Sequence, residues 1–264
     1  MLNSLDAFIG QLSYLQIGLI VGTMVLAGFV RGFVGFGASL IIVMVLSLVL
    51  EPLLAVPISM LSGLPVMAQL LPNAIRFSEK SFVVPYGVAA FAAAPVGAVV
   101  LVSLDATIMK IMISIFVLVM VALMYGNWRL AKNPGLWVYL SAGAISGFLQ
   151  GTAAVGGPPA VAVALSRPGA PQQQRANVIG AVTALSMCAL LPVWYCGLFT
   201  REVIFISIAV APFYMGATWG GAWFFSLQGH RLFRNGALAA LAIIGLITLI
   251  ISTQEFIIQS ERIH

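Results

Sequence analysis

The chain sets long apolar runs between isolated charges rather than between polar segments. Stretches free of Asp, Glu, Lys and Arg cover 7–30, 32–50, 52–75, 81–104, 111–128, 133–166, 176–200, 203–230 and 235–254. A helix needs about 20 apolar residues to cross a hydrocarbon core of about 30 Å, and most of these runs reach that length. The pattern predicts an all-α polytopic membrane protein. No Lys/Arg cluster of a signal peptide precedes the first run, so that run is expected to be retained. The gaps leave no room for a soluble domain, and the longest polar connection lies around 125–135. One transmembrane domain over 1–264 is expected, with a first repeat at 12–125, a linker at 126–135 and a second repeat at 136–252.

The repeat is carried by matching residues. Gly28-Phe29-Val30-Arg31-Gly32 and Gly147-Phe148-Leu149-Gln150-Gly151 stand at a constant offset of 119 positions, as do Gly37 and Gly156, Ser39 and Pro158, and Pro52 and Pro171. Later in the halves the offset becomes 124, which aligns Lys110 with Arg234. Charge sets the relative direction of the halves. If 12–50 is two elements joined at Arg31, each half has about five helical elements. Arg31, Arg76, Lys80, Arg129, Lys132, Arg167, Arg175, Arg231 and Arg234 then share one side, against Lys110, Arg201 and Arg262 on the other. Counting 12–50 and its twin as single spans divides the cations almost evenly. Because Lys and Arg concentrate on the cytoplasmic side, the first scheme is favoured. Five is odd, so the repeats are inverted and both termini face outward.

Each half opens on a segment too short to span. About 16 residues separate Gly35 from the Glu51-Pro52 break, roughly 24 Å at 1.5 Å per residue. In the second half only 158–166 precedes Arg167-Pro168, roughly 14 Å. Two short helices meeting at a glycine-rich, re-entrant break are expected at the start of each half, and matched interruptions of this kind point to a transporter's binding site. Gly35, Gly37, Gly156 and Gly157 permit unwound backbone, and Pro158 suits the first turn of a new helix. Helix N-termini aimed at the midplane bind anions, with Ser39, Thr152 and Gln150 as further polar groups. Gly28, Gly32, Gly143, Gly147 and Gly151 have the spacing of helix-packing glycines instead.

Composition narrows the chemistry. The chain of 264 residues is 61% hydrophobic and 7% charged, with a mean hydropathy of +1.10, whereas soluble domains carry about 25% charged residues. The net charge of +5 comes from scattered cations and scarce acids, so it predicts positive cytoplasmic loops and no nucleic-acid partner. Cys188 and Cys196 lack zinc or redox spacing and read as packing residues.

At the breaks the sequence resembles the TauE/SafE sulfite exporter family. The resemblance rests on GFVRGFVGFGAS, which contains Phe36, on GFLQGTAAVGGPP, on the Arg175-Ala176-Asn177 run, and on the two-half layout. Gly35-Phe36-Gly37-Ala38 departs from the three successive glycines of many members, and the second motif is a Gly-Gly-Pro-Pro variant. The resemblance implies transport of small sulfur-containing or organic anions such as sulfite or sulfonates; an exporter of the inner or plasma membrane is expected.

Arg31 is the basic residue at a break, and guanidinium suits bidentate binding of sulfonate or carboxylate oxygens; the alternative is a snorkelling or loop arginine. Arg175 begins a helix and could attract cytoplasmic anions, or serve only as a positive loop residue. Gln69, Asn73 and Asn177 read equally as interhelical hydrogen-bonding groups, and Trp194, Trp219 and Trp223 as interface anchors or packing. No His, Asp or Glu falls mid-run, so a buried proton relay has no candidates apart from Glu51 near a break. A membrane-embedded enzyme would need clusters of such groups; no catalytic residue, metal ligand or cofactor is expected. Expected partners are a small anionic substrate and membrane lipid, and a homodimer is compatible with the layout. A channel-like permease for another small solute is the alternative.

Overall fold

The structure is a computed structural model, described over residues 13–125, 134–166, 171–227 and at 246, 249–250 and 253–254. The 126–133 part of the expected linker, Arg129, Lys132, Arg167, Arg231, Arg234, Arg262 and most of the last apolar run lie outside the described residues. Nine described helices follow in order: α1 Tyr14–Val34, α2 Ala38–Val49, α3 Pro52–Phe77, α4 Lys80–Ser103, α5 Ala106–Tyr125, α6 Leu136–Ala153, α7 Gly157–Ser166, α8 Pro171–Tyr195 and α9 Arg201–Leu227. The described residues form no strand. Among the described residues, five stretches are long and apolar enough to cross a membrane: Tyr14–Phe33, Pro52–Pro72, Lys80–Ser103, Gln173–Tyr195 and Arg201–Phe224.

Local chemistry sets the boundaries. Ser13 and Gln16 form a reciprocal capping box that starts α1, satisfying N–H groups that have no helical partner. α1 runs unbroken through Arg31 and stops at Gly35, whose φ of 92° places it in the left-handed region. This corrects the expectation of a joint at Arg31. A charge does not end a helix, whereas Gly35 adopts the left-handed cap at little cost. The first helix is also longer than expected, at 21 residues. By contrast α2 has 12 residues and α7 has 10, about 18 and 15 Å at 1.5 Å per residue; neither crosses a core of about 30 Å. Pro52 opens α3, while Pro57, Pro65 and Pro72 lie inside it, a tolerance typical of helices within membranes.

Burial separates a central pair from its flanks. In α3 and α8 the apolar windows are 61% and 67% buried, against 33% in both α4 and α9. α3 packs on α8, α4 runs along α6, and α1 along α9; α4 also packs on α8, and α9 on α3. Exchanging helices at matching positions of the two halves turns the α4–α6 contact into α1–α9 and α4–α8 into α3–α9, and returns α3–α8 to itself. The two long pairings are close. A Cβ added at Gly32 would lie 2.0 Å from the Thr218 carbonyl oxygen, and one at Gly147 would lie 2.2 Å from that of Ala90. Both belong to the packing set expected from spacing. On the outer faces Trp194, Trp219 and Trp223 are 60–67% exposed, as side chains facing lipid would be. Cys188 and Cys196 are free and partly buried.

Cross-contacts identify the helix ends that share a side. Arg175 at the start of α8 donates to the Gly32 carbonyl at the end of α1, 2.8 Å away. Asn177 accepts from the Glu79 amide at the start of α4, at 2.7 Å. The end of α1, the α3–α4 turn with Arg76 and Lys80, and the start of α8 therefore meet. Glu51, Asp105 and Arg201 mark helix junctions at the opposite end.

Candidate functional site

The two breaks converge on one cavity. Arg31 of α1, Phe36 and Gly37 of the first break, and Ser39 and Leu40 of α2 form one wall. The other half supplies Gln150 of α6, Ala154 and Val155 of the second break, and Gly157 and Pro158 of α7. Val182 and Ser186, one turn apart near the middle of α8, complete the lining. The atom-free space around these residues, counted out through the open mouth, is about 300 Å³.

The sequence places two helix starts there. Gly37, with a φ of 91°, precedes α2 and offers no side-chain cap, so the first N–H groups of α2 keep their hydrogen-bonding capacity beside the cavity. Gly157 is the first residue of α7 and has nothing within 4 Å of an added Cβ. Arg31 is 4% exposed, and its Nε is buried without a hydrogen-bond partner. No carboxylate among the described residues pairs with it. Tyr214 of α9, 1% exposed, is a side-chain hydrogen-bond partner of the guanidinium. A buried cation beside uncapped N–H groups and small polar groups makes an environment for an anion of few atoms.

The remaining expected site residues lie outside the lining. Gly35 caps α1 and faces Ile179. The Thr152 hydroxyl donates to the Phe148 carbonyl at 2.8 Å, which ties it to its own helix. Gly156 packs on the Ser146 carbonyl oxygen, where a Cβ would stand 2.2 Å away, so its role is close approach. Arg175 is engaged with Gly32. Gln150 lines the cavity and also accepts from the Gly156 amide at 3.1 Å, which ties down the second break. Leu40, Ala154, Val155, Val182 and Ser186 were missed. Ala154 matches Gly35 at the offset of 119 and is likewise left-handed, with a φ of 56°; that correspondence could have found it. Nothing in the α8 sequence distinguishes Val182 and Ser186 from other apolar or small residues.

Among the described residues no group of His, Cys, Asp or Glu could hold a metal ion. Residues 20–248, most of the chain, match the family model for sulfite exporter TauE/SafE. The chain belongs to the TauE/SafE sulfite exporter family. It is a multi-pass membrane protein of a transport family. Neither the curated proteins nor the solved structures include a match.

Proposed function

We propose that the chain exports a small sulfur-containing or organic oxyanion, such as sulfite or a sulfonate, and that the central cavity binds it. The observation that carries this is Arg31, a buried guanidinium without a carboxylate partner among the described residues, beside the uncapped start of α2. A charge inside a membrane protein is costly and marks function by default.

Alternating access is the proposed mechanism. The interchangeable packing of the halves supports an inverted repeat, with α2 and α7 as re-entrant elements. The end carrying Arg76, Lys80 and Arg175 is the cytoplasmic one by the positive-inside rule, and the N-terminus then faces outward. In the inner or plasma membrane, an inside-negative potential favours anion exit by about 2.3 kcal/mol per charge per 100 mV. Efflux is therefore driven by the potential, without obligatory proton coupling. Proteoliposomes loaded with sulfite test this: efflux should persist when the pH gradient is collapsed at a clamped potential. Efflux that stops under that condition overturns the coupling.

A further inference from the structure

The two breaks are held in different ways. The last carbonyls of a helix lack helical partners. At the end of α6 they are satisfied locally: the Ala154 amide donates to the Gln150 carbonyl at 2.9 Å and the Val155 amide to that of Leu149 at 3.4 Å. The Gln150 side chain then accepts from the Gly156 amide at 3.1 Å. Every one of these partners belongs to the second half.

At the end of α1 the Gly35 amide donates to the Arg31 carbonyl at 2.7 Å. The next carbonyl, that of Gly32, accepts from Arg175 Nη2 of the other half at 2.8 Å. The Arg175 stem passes Gly35, with Cγ 3.9 Å from where a Cβ would stand. A cation there also complements the negative end of the helix dipole. The position matching Arg175 in the first half is Val56, which offers no side-chain donor, and the position matching Gln150 is Arg31, which lines the cavity. Two residues beyond Arg175, Asn177 makes a second link to the first half. Its Oδ1 accepts from the Glu79 amide at 2.7 Å and its Nδ2 donates to Glu79 Oε1 at 3.2 Å.

We infer that Arg175 is a positioning residue that ties the shape of the first break, and so of the Arg31 side of the cavity, to closure of the halves at this end. The inference rests on the cavity being the binding site. When this end opens, the Arg175–Gly32 bond is lost and the first break loosens, while the second keeps its own bonds. Release of substrate and opening of the end become one event.

The test places a cysteine in the cavity, Ser39→Cys, with Cys188 and Cys196 replaced by serine. A membrane-impermeant maleimide is applied to each face of oriented vesicles, with Lys80→Cys in a parallel sample marking the Arg175 end. Arg175→Met keeps the stem and removes the donors; Arg175→Lys keeps the charge and a donating ammonium group. Labelling from the Arg175 end should rise about tenfold with Met, as loss of a charge-assisted hydrogen bond implies, and stay within about threefold with Lys. Unchanged labelling with Met, or equal rises with both, overturns the inference. If only protection against labelling by a non-nucleophilic sulfonate (methanesulfonate) is missing while the Met/Lys contrast stands, the substrate reading fails and the clamp does not. Hydrogen exchange on the unsubstituted protein is independent of folding in the variants. Amides 33–38 should exchange about tenfold faster than 153–157, the second break being locked within its half; equal or slower exchange overturns the asymmetry.

Discussion

Replacing Arg31 with alanine separates a substrate ligand from a structural arginine, because the two roles move stability and affinity differently. Arg31 is 4% exposed, and its Nε has no hydrogen-bond partner. A buried charge without an ionic partner is a net cost to the fold, which offsets loss of the side-chain hydrogen bond to Tyr214, so Arg31→Ala should leave the melting temperature within a few degrees of the unsubstituted protein. Binding should fall sharply. A charge-assisted hydrogen bond contributes about 1.5–3 kcal/mol, so loss of one corresponds to roughly 10- to 150-fold weaker affinity for sulfite at 1.4 kcal/mol per decade. Arg31→Lys keeps the charge but not the planar fork and should lose about 5- to 10-fold. Isothermal titration calorimetry and differential scanning fluorimetry in nanodiscs read both quantities. A variant that melts several degrees lower while binding sulfite normally refutes the ligand role.

Further expectations follow from the same geometry. Gly147→Leu should abolish folding, since its Cβ alone would enter the Ala90 carbonyl at 2.2 Å; monodisperse, wild-type-stable protein on size exclusion contradicts the packing. Gly157→Ala meets open space and should keep stability within about 0.5 kcal/mol while raising KM for transport; an unchanged KM removes Gly157 from the substrate's path. Ala154→Gly relieves a left-handed alanine and should stabilise by about 0.5 kcal/mol after the entropic cost of glycine. A lower melting temperature would show that the conformation is not strained. A cysteine replacing Arg129 should label only from the cytoplasmic face, and labelling from outside would reverse the proposed topology.

The apolar runs located the helices well because a membrane span is a matter of length and polarity, and neither depends on distant contacts. The charge at Arg31 does not mark a helix boundary. Charge is a poor terminator, and only the left-handed φ at Gly35 shows where α1 stops. The run 133–166 holds two helices, and its Gly-Gly-Pro-Pro string marks the junction in the sequence itself. In the cavity, Arg31, Phe36, Gly37, Ser39, Gln150, Gly157 and Pro158 were legible because both motifs repeat at a fixed offset. Val182 and Ser186 were not, since which face of α8 meets the breaks is decided by packing. Arg175 shows the converse limit: a cation near an anion site reads as either a ligand or a loop charge, and neither reading contains its hydrogen bond to Gly32.

Solid-supported-membrane electrophysiology on the unsubstituted protein tests the central claim most directly, with a panel of sulfite, sulfonates, carboxylates, uncharged analogues and cations. The expected result is a saturable current for sulfite or a sulfonate, with no response to the uncharged or cationic members. Currents carried by a cation, or no current with any anion of the panel, would contradict an oxyanion exporter built around Arg31.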